Sequence, residues 1–363
     1  MWFPSWLRDL SCSFQPVRSR QRRASAGERT PRRLTRGPRA WPFRPALEAL
    51  EHRDLPSTLM VTSPADTSGW GDGSLRGEIL AAASGDQIVF APSLTRQTIT
   101  LASGTELFLN KDLTIQGLGS GLLTICGNGN RVFEIAPGAT DTITGLTIAH
   151  GNNSTGGGLA NAGTLTLSQC TLSGNTGILG GGVFNTGTLT LSSTTLSGNS
   201  VQGYGGGIYN VGMLTLNSST VSTNSAAYGG GVFNAGTLTL SFSTVSGNSA
   251  PLGGGLYNEG SLTLASSTVS GNSASIGGGI YNVGTMTLTS STVAANSASI
   301  GGGIYNDGTM SLDACIVSGN SATYFAGGIY NSGTLTLANT LFFGNSPDNL
   351  FGDFIDAGGN YFG

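Results

Sequence analysis

Residues 277–298 read Gly-Gly-Gly-Ile-Tyr-Asn-Val-Gly-Thr-Met-Thr-Leu-Thr-Ser-Ser-Thr-Val-Ala-Ala-Asn-Ser-Ala, and the same sentence recurs eight times between residues 156 and 345. One asparagine column runs through Asn161, Asn185, Asn210, Asn234, Asn258, Asn282, Asn306 and Asn331, in steps of 24 or 25 residues. A second column follows each of these by 14 residues, from Asn175 to Asn345. Both columns take their extra residue in the same copies, which is the behaviour of a structural register.

Within each copy Thr-Leu-Thr-Leu alternates strictly, so both Leu fall on one face of a strand and both Thr on the other. Ile-Tyr-Asn and Ser-Thr-Val-Ser are two further short strands, and Gly-Gly-Gly and Ser-Gly-Asn-Ser supply corners between them. Three short strands in 24 residues, repeated in register, predict a right-handed single-stranded parallel β-helix of about ten coils. One coil has only about four aliphatic side chains to bury, at ~1.5–3 kcal/mol each, against ~1–2 kcal/mol per ordered residue. A lone coil is therefore unstable, and stability must come from stacking. An inward Asn at a corner serves that stacking by bonding backbone and the Asn of the next coil.

The irregular residues 97–155 keep the strand vocabulary in Thr98-Ile99-Thr100-Leu101 and Leu146-Thr147-Ile148. Residues 58–96 read as an N-terminal cap with a short helix over residues 74–83, and residues 346–363 as a short C-terminal cap. Residues 1–57 read as a disordered basic leader, since 12 arginines face five acids in residues 1–54, for a net charge of +7. After Arg131 there is no Lys or Arg, and no nucleic-acid partner is expected for the folded part. No apolar run reaches the ~18 residues of a transmembrane helix.

Cys170 and Cys315 share one column six coils apart, roughly 29 Å at ~4.8 Å per coil, so they cannot bridge within a monomer. The other copies carry Ser or Thr there, which marks an inward position for a small residue.

The repeat resembles those of bacterial parallel β-helix surface proteins of the polymorphic outer-membrane-protein type, on residues such as Gly206-Gly207-Ile208 with Tyr209 and Asn224. Gly73-Ser74-Leu75-Arg76-Gly77-Glu78-Ile79 is similar to the domain named for a Cys-Ser-Leu-Arg-Glu-Ala string, with Gly73 in place of the Cys and Gly77-Glu78 in place of Glu-Ala. Residues 47–57, Leu-Glu-Ala-Leu-Glu-His-Arg-Asp-Leu-Pro-Ser, resemble an export or sorting segment found ahead of large exported bacterial proteins. These resemblances imply an extracytoplasmic β-helix, secreted or on the cell surface, and no single activity.

Parallel β-helices also host polysaccharide lyases and hydrolases, chemistry that needs converging carboxylates and usually a base. The repeats offer Glu259, Asp307 and Asp313, without Lys, Arg or His beside them. The irregular coils offer Arg131, Glu134, Asp141 and His150, with Glu134 and Asp141 read as exposed strand positions. No catalytic, cofactor-binding or metal residue is assigned, and no cofactor. The expected function is a noncatalytic structural, adhesive or binding module; a carbohydrate-active or carbohydrate-binding β-helix is the alternative. The partner is a cell-surface polysaccharide or another surface protein.

Two outward columns are the candidate contact surfaces. Phe184, Tyr209, Phe233, Tyr257, Tyr281, Tyr305 and Tyr330 form an aromatic stripe, placed either to meet sugar faces or a partner, or to pack ring on ring. The Thr-x-Thr pairs, such as Thr188 with Thr190 and Thr285 with Thr287, form a flat array of the kind seen in ice-binding solenoids, interrupted at Met213, Ser261 and Ser311.

Overall fold

A computed structural model describes residues 55–102 and 104–363. The basic leader, and all but the last three residues of the segment 47–57, lie outside the described residues. What is described is a right-handed parallel β-helix of about eleven turns.

Each motif read from the repeat forms its own sheet. The Thr-Leu-Thr-Leu strands, among them Thr188–Ser192 and Thr285–Thr289, lie in a 13-stranded sheet. The Thr-Val-Ser strands make a 12-stranded sheet and the Ile-Tyr-Asn strands an 11-stranded one. Pairing is parallel and column on column: Ile280 faces Ile304, Tyr281 faces Tyr305 and Asn282 faces Asn306. Leu189 and Leu191 are buried while Thr188 is exposed and Thr190 half-buried, as alternation requires. A single apolar core runs the length of the coil, fed by all three sheets.

The corners carry a left-handed backbone residue in nearly every copy. One corner uses glycine from Gly156 to Gly301, whereas another uses non-glycine residues throughout, from Gln169 to Asn339, with φ between 48° and 54°. Gly284 sits where an added Cβ would lie 2.2 Å from the carbonyl oxygen of Gly260 in the preceding coil, so the coil spacing itself demands a bare backbone there.

At the N-terminal end the helix Leu75–Ala81 starts at Ser74, whose hydroxyl accepts from the Gly77 amide at 3.0 Å. It lays Leu75 and Ile79 into the core. At the other end the structure differs from the short cap read in the sequence. Leu350–Phe351, Ile355–Asp356 and Tyr361–Phe362 each extend one of the three sheets, so the tail winds one more, smaller coil.

A fourth side was not legible as strand. Asn152–Thr155, Thr176–Leu179 and Ser200–Tyr204 form a three-stranded sheet there, and Ser297–Ile300 pairs with Ser321–Phe325. Between them the side continues as isolated parallel bridges, Tyr228 to Leu252 and Leu252 to Ile276 among them. The Ser-Ala-Ser-Ile type of segment is too short and small to alternate visibly, yet neighbouring coils hold it extended.

Candidate functional site

Most of the recurrent chemistry lies inside the coil. In the first Asn column Nδ2 donates to the next Asn Oδ1 at 2.7–2.8 Å, as from Asn234 to Asn258 and Asn258 to Asn282. It also donates to the glycine carbonyl two residues on, as from Asn258 to Gly260 at 3.2 Å. In the second column each Oδ1 accepts from both the backbone amide and Nδ2 of the preceding Asn, as Asn272 does from Asn248 at 2.9 and 3.0 Å. A third ladder occupies the Cys170 column: the Ser219 amide donates to Ser243 Oγ, and the Ser243 amide to Ser267 Oγ, both at 3.1 Å. These ladders satisfy the polar groups of buried corners, where an unpaired group costs ~1–3 kcal/mol. Cys170 and Cys315 are both buried, and burial pushes both thiols up.

The irregular coils do not assemble the polar group read from the sequence. Arg131 is buried and donates to the carbonyls of Thr155 and Gly156 and to the Glu134 carboxylate, an ion pair at one corner. His150 is an exposed corner residue with φ 53°. Asp141 corrects the sequence reading. It is not exposed but 1% accessible, because it shares the inward face with Ile143 and pairs with the inward Leu165 of the next coil. One oxygen accepts from the Leu113 amide at 2.9 Å while Oδ2 has no partner, and burial pushes the carboxyl up to about 6. Three different places hold these four residues. In the repeats, Asp307 accepts from the Ser332 hydroxyl at 3.0 Å and Asp313 from the Asn339 amide at 3.0 Å. Burial also raises the Glu259 carboxyl.

The aromatic column forms one continuous stack. Phe184, Tyr209, Phe233, Tyr257, Tyr281, Tyr305 and Tyr330 follow one another with centroids 4.8–5.4 Å apart and planes within 14° of parallel. Phe351 of the last coil extends it at 5.1 Å. Each ring within the stack therefore covers its neighbour's face, which removes the face a sugar would stack upon. Phe233 is 3% exposed, with the Tyr204 ring edge-on 4.9 Å away; the other six are half-buried. Burial and the nearby Glu259 push the Tyr257 hydroxyl up to about 12 and raise Tyr209 as well. Tyr281 is raised by burial, then by Tyr305. These hydroxyls stay protonated donors.

A second column stands beside the stack and was missed. It consists of Leu179, Tyr204, Tyr228, Leu252, Ile276, Ile300 and Phe325, brought into register by the fourth side. Tyr204 and Tyr228 contact the stack edge-on, Tyr228 against Tyr257 at 5.8 Å. All seven are half-buried or exposed. The signal was present, since the residue ahead of this left-handed corner is a large aliphatic or aromatic one in every one of these copies. Together the two columns make an apolar strip of roughly 29 Å at ~4.8 Å per coil.

On the 13-stranded sheet the Thr-x-Thr pairs do stack in register, Thr285 on Thr309 and Thr263 on Thr287, with Met213 and Ser261 in the outer row and Ser311 in the inner. Among the described residues no helix is long and apolar enough to cross a membrane.

No protein-family model matches the sequence, and no curated protein matches it. Among solved structures, the crystal structure of pectate lyase Pel9A is similar, with a TM-score of 0.48 and 13% identity, covering 84% of this chain and 79% of that one.

Proposed function

We propose that this chain is a noncatalytic β-helix exported to the cell surface, of the kind its repeats resemble in polymorphic outer-membrane-protein-type surface proteins. It acts as a binding module whose contact face is the two-column apolar strip. The strip is the observation that carries this reading. A contiguous apolar surface running over seven coils is the property of a docking face, whereas the Asn and Ser ladders lie inside the coil. With the ring faces engaged in the stack, edges and hydroxyls suit another surface protein better than the flat face of a sugar ring. Scattered carboxylates, one of them sealed in the core, favour this over a carbohydrate-active enzyme.

Two experiments test it. Fractionation of producing cells, with added protease, is expected to find the folded part outside the cytoplasm and accessible; a purely cytosolic signal overturns export. Labelled full-length protein is expected to bind intact producing cells, and the substitutions Tyr204→Ser and Tyr228→Ser together to abolish that binding at unchanged circular dichroism. Undiminished binding by the double variant overturns the assignment of the strip.

A further inference from the structure

The fourth side departs from its own repeat in one region. From Ser225 to Ser299 the segment is built from small residues, Ser225-Ala226-Ala227, Ser249-Ala250-Pro251, Ser273-Ala274-Ser275 and Ser297-Ala298-Ser299, before Thr323 and Tyr324 enlarge it again. In the three coils where this side begins it carries Asn152 and Asn153, Thr176 and Ile178, then Ser200 and Gln202. These six side chains line a groove of about 480 Å³. Apart from Ser200, whose column stays Ser in the later coils, the scaffold does not require them, because the coils from Ser225 to Ser299 continue this side without them. A local departure from a strict repeat, with no packing reason, is where function is sought.

The groove has a definite chemistry. Gly177 lies between Asn153 and Val201 in register and gives the floor no side chain; a Cβ there would stand 2.4 Å from the Asn153 carbonyl oxygen. The walls offer amides and hydroxyls, together with Ile178, which is 56% exposed. No charged residue lines it. Arg131, buried behind it, donates from Nη2 to Asn153 Oδ1 at 3.2 Å, and the Thr155 amide donates to the same oxygen at 3.2 Å. Its charge is met by Glu134. Asn153 is thus held by its oxygen, and its Nδ2 has no hydrogen bond among the described residues. Arg131 is a positioning residue for a donor that faces a neutral, hydrogen-bonding groove.

We infer that this groove binds an uncharged, hydroxyl-rich oligosaccharide. Amide and hydroxyl side chains match sugar hydroxyls as both donors and acceptors, and Ile178 meets the C–H face of a pyranose ring. An acidic sugar would find no cation in the groove to pair with. The groove borders the apolar strip on the strands Thr176–Leu179 and Ser200–Tyr204 but is lined by other residues, and it does not rest on the strip's partner.

The test uses the full-length chain and a panel of linear neutral hexasaccharides of glucose, mannose and galactose, with hexagalacturonate as the charged control, read by ligand-detected NMR and calorimetry. At least one neutral hexasaccharide is expected to bind with Kd below about 1 mM. The variant Asn152→Ala/Ile178→Ala/Gln202→Ala changes only exposed side chains and is expected to bind about tenfold more weakly or worse, a loss of ~1.4 kcal/mol, with its Tm unchanged. The strip variant Tyr204→Ser/Tyr228→Ser is expected to bind the sugar as the parent does, so failure of the strip and failure of the groove are read separately. Absence of binding by every neutral sugar, equal binding by the triple variant, or binding of hexagalacturonate as tight as the best neutral one each overturns the inference.

Discussion

Replacing Asp141 with Asn is expected to stabilise the protein at neutral pH, and the reason lies in the coil register. Asp141 stands in a column that every regular coil fills with Leu or Met, 1% exposed, with Oδ2 unpartnered. Its carboxyl rises from the ordinary 3.8 to about 6, first by burial and then by the neighbouring charge of Asp112. The sign is opposite to that of a salt-bridged Asp: the folded state holds this proton more tightly than the unfolded chain. The folded state is therefore undisturbed below about pH 4, loses stability as pH rises from about 4 to 6, and carries the full penalty above that range. At ~1.4 kcal/mol per pH unit the ceiling is roughly 3 kcal/mol, and solvent screening brings it to ~1–3 kcal/mol. Asn keeps an oxygen for the Leu113 amide and removes the charge. Thermal melts of parent and Asp141→Asn at several pH values check this: the variant is expected to melt a few degrees higher at about pH 7.5, with the gap closing by about pH 4. A gap independent of pH, or none at pH 7.5, would refute the reasoning. Comparison with the variant also separates this effect from Asp72, whose hydrogen bonds to Ser74 and Thr67 hold it near 2 and whose contribution disappears only in stronger acid.

Three further outcomes follow from the same geometry. Gly284→Ala places a methyl 2.2 Å from the Gly260 oxygen and is expected to cost about 1–3 kcal/mol or more in urea unfolding, whereas Gly198→Ala, with nothing within 4 Å, meets only its left-handed backbone, about 1 kcal/mol; equal losses would sink the close-approach argument. Asn258→Ala leaves Asn282 Oδ1 without the donor it has at 2.7 Å and is expected to cost about 1–3 kcal/mol, and Asn258→Asp more, because oxygen then faces oxygen; an Asp variant as stable as the parent contradicts the ladder. Cys170 and Cys315, buried and with raised pKa, are expected to resist a thiol reagent at about pH 8 until the chain is unfolded; labelling of native protein as fast as at the half-buried Cys126 argues against the packed interior.

Period and alternation carried much of the fold in plain view. The 24-residue step, the Leu pairs and the two Asn columns correspond directly to coil, inward face and ladder. The Ser and Thr of the Cys170 column read as merely small, and their amide-to-hydroxyl ladder emerges only in the folded coil. Asp141 was misread although Asp141 and Ile143, two apart on a strand, must share a face; the irregular coil hid the period that would have said which face. The aromatic column was legible as a column. Its ring orientation was not, because alternation gives the side of a strand and no torsion of a side chain. The fourth side failed for a different reason: its extended backbone is imposed by neighbouring coils, so local propensity carries no sign of it, and with it went the column from Leu179 to Phe325 and the Asn152–Gln202 groove.

One binding titration tests the apolar strip directly as the contact face. Labelled parent protein is added to intact producing cells, to cells shaved with protease and to cells oxidised with periodate, alongside the variant Tyr204→Ser/Tyr228→Ser/Ile276→Ser. Saturable binding is expected that survives periodate, disappears after shaving and is absent for the variant. Binding by the variant equal to the parent, or binding that survives shaving, contradicts it.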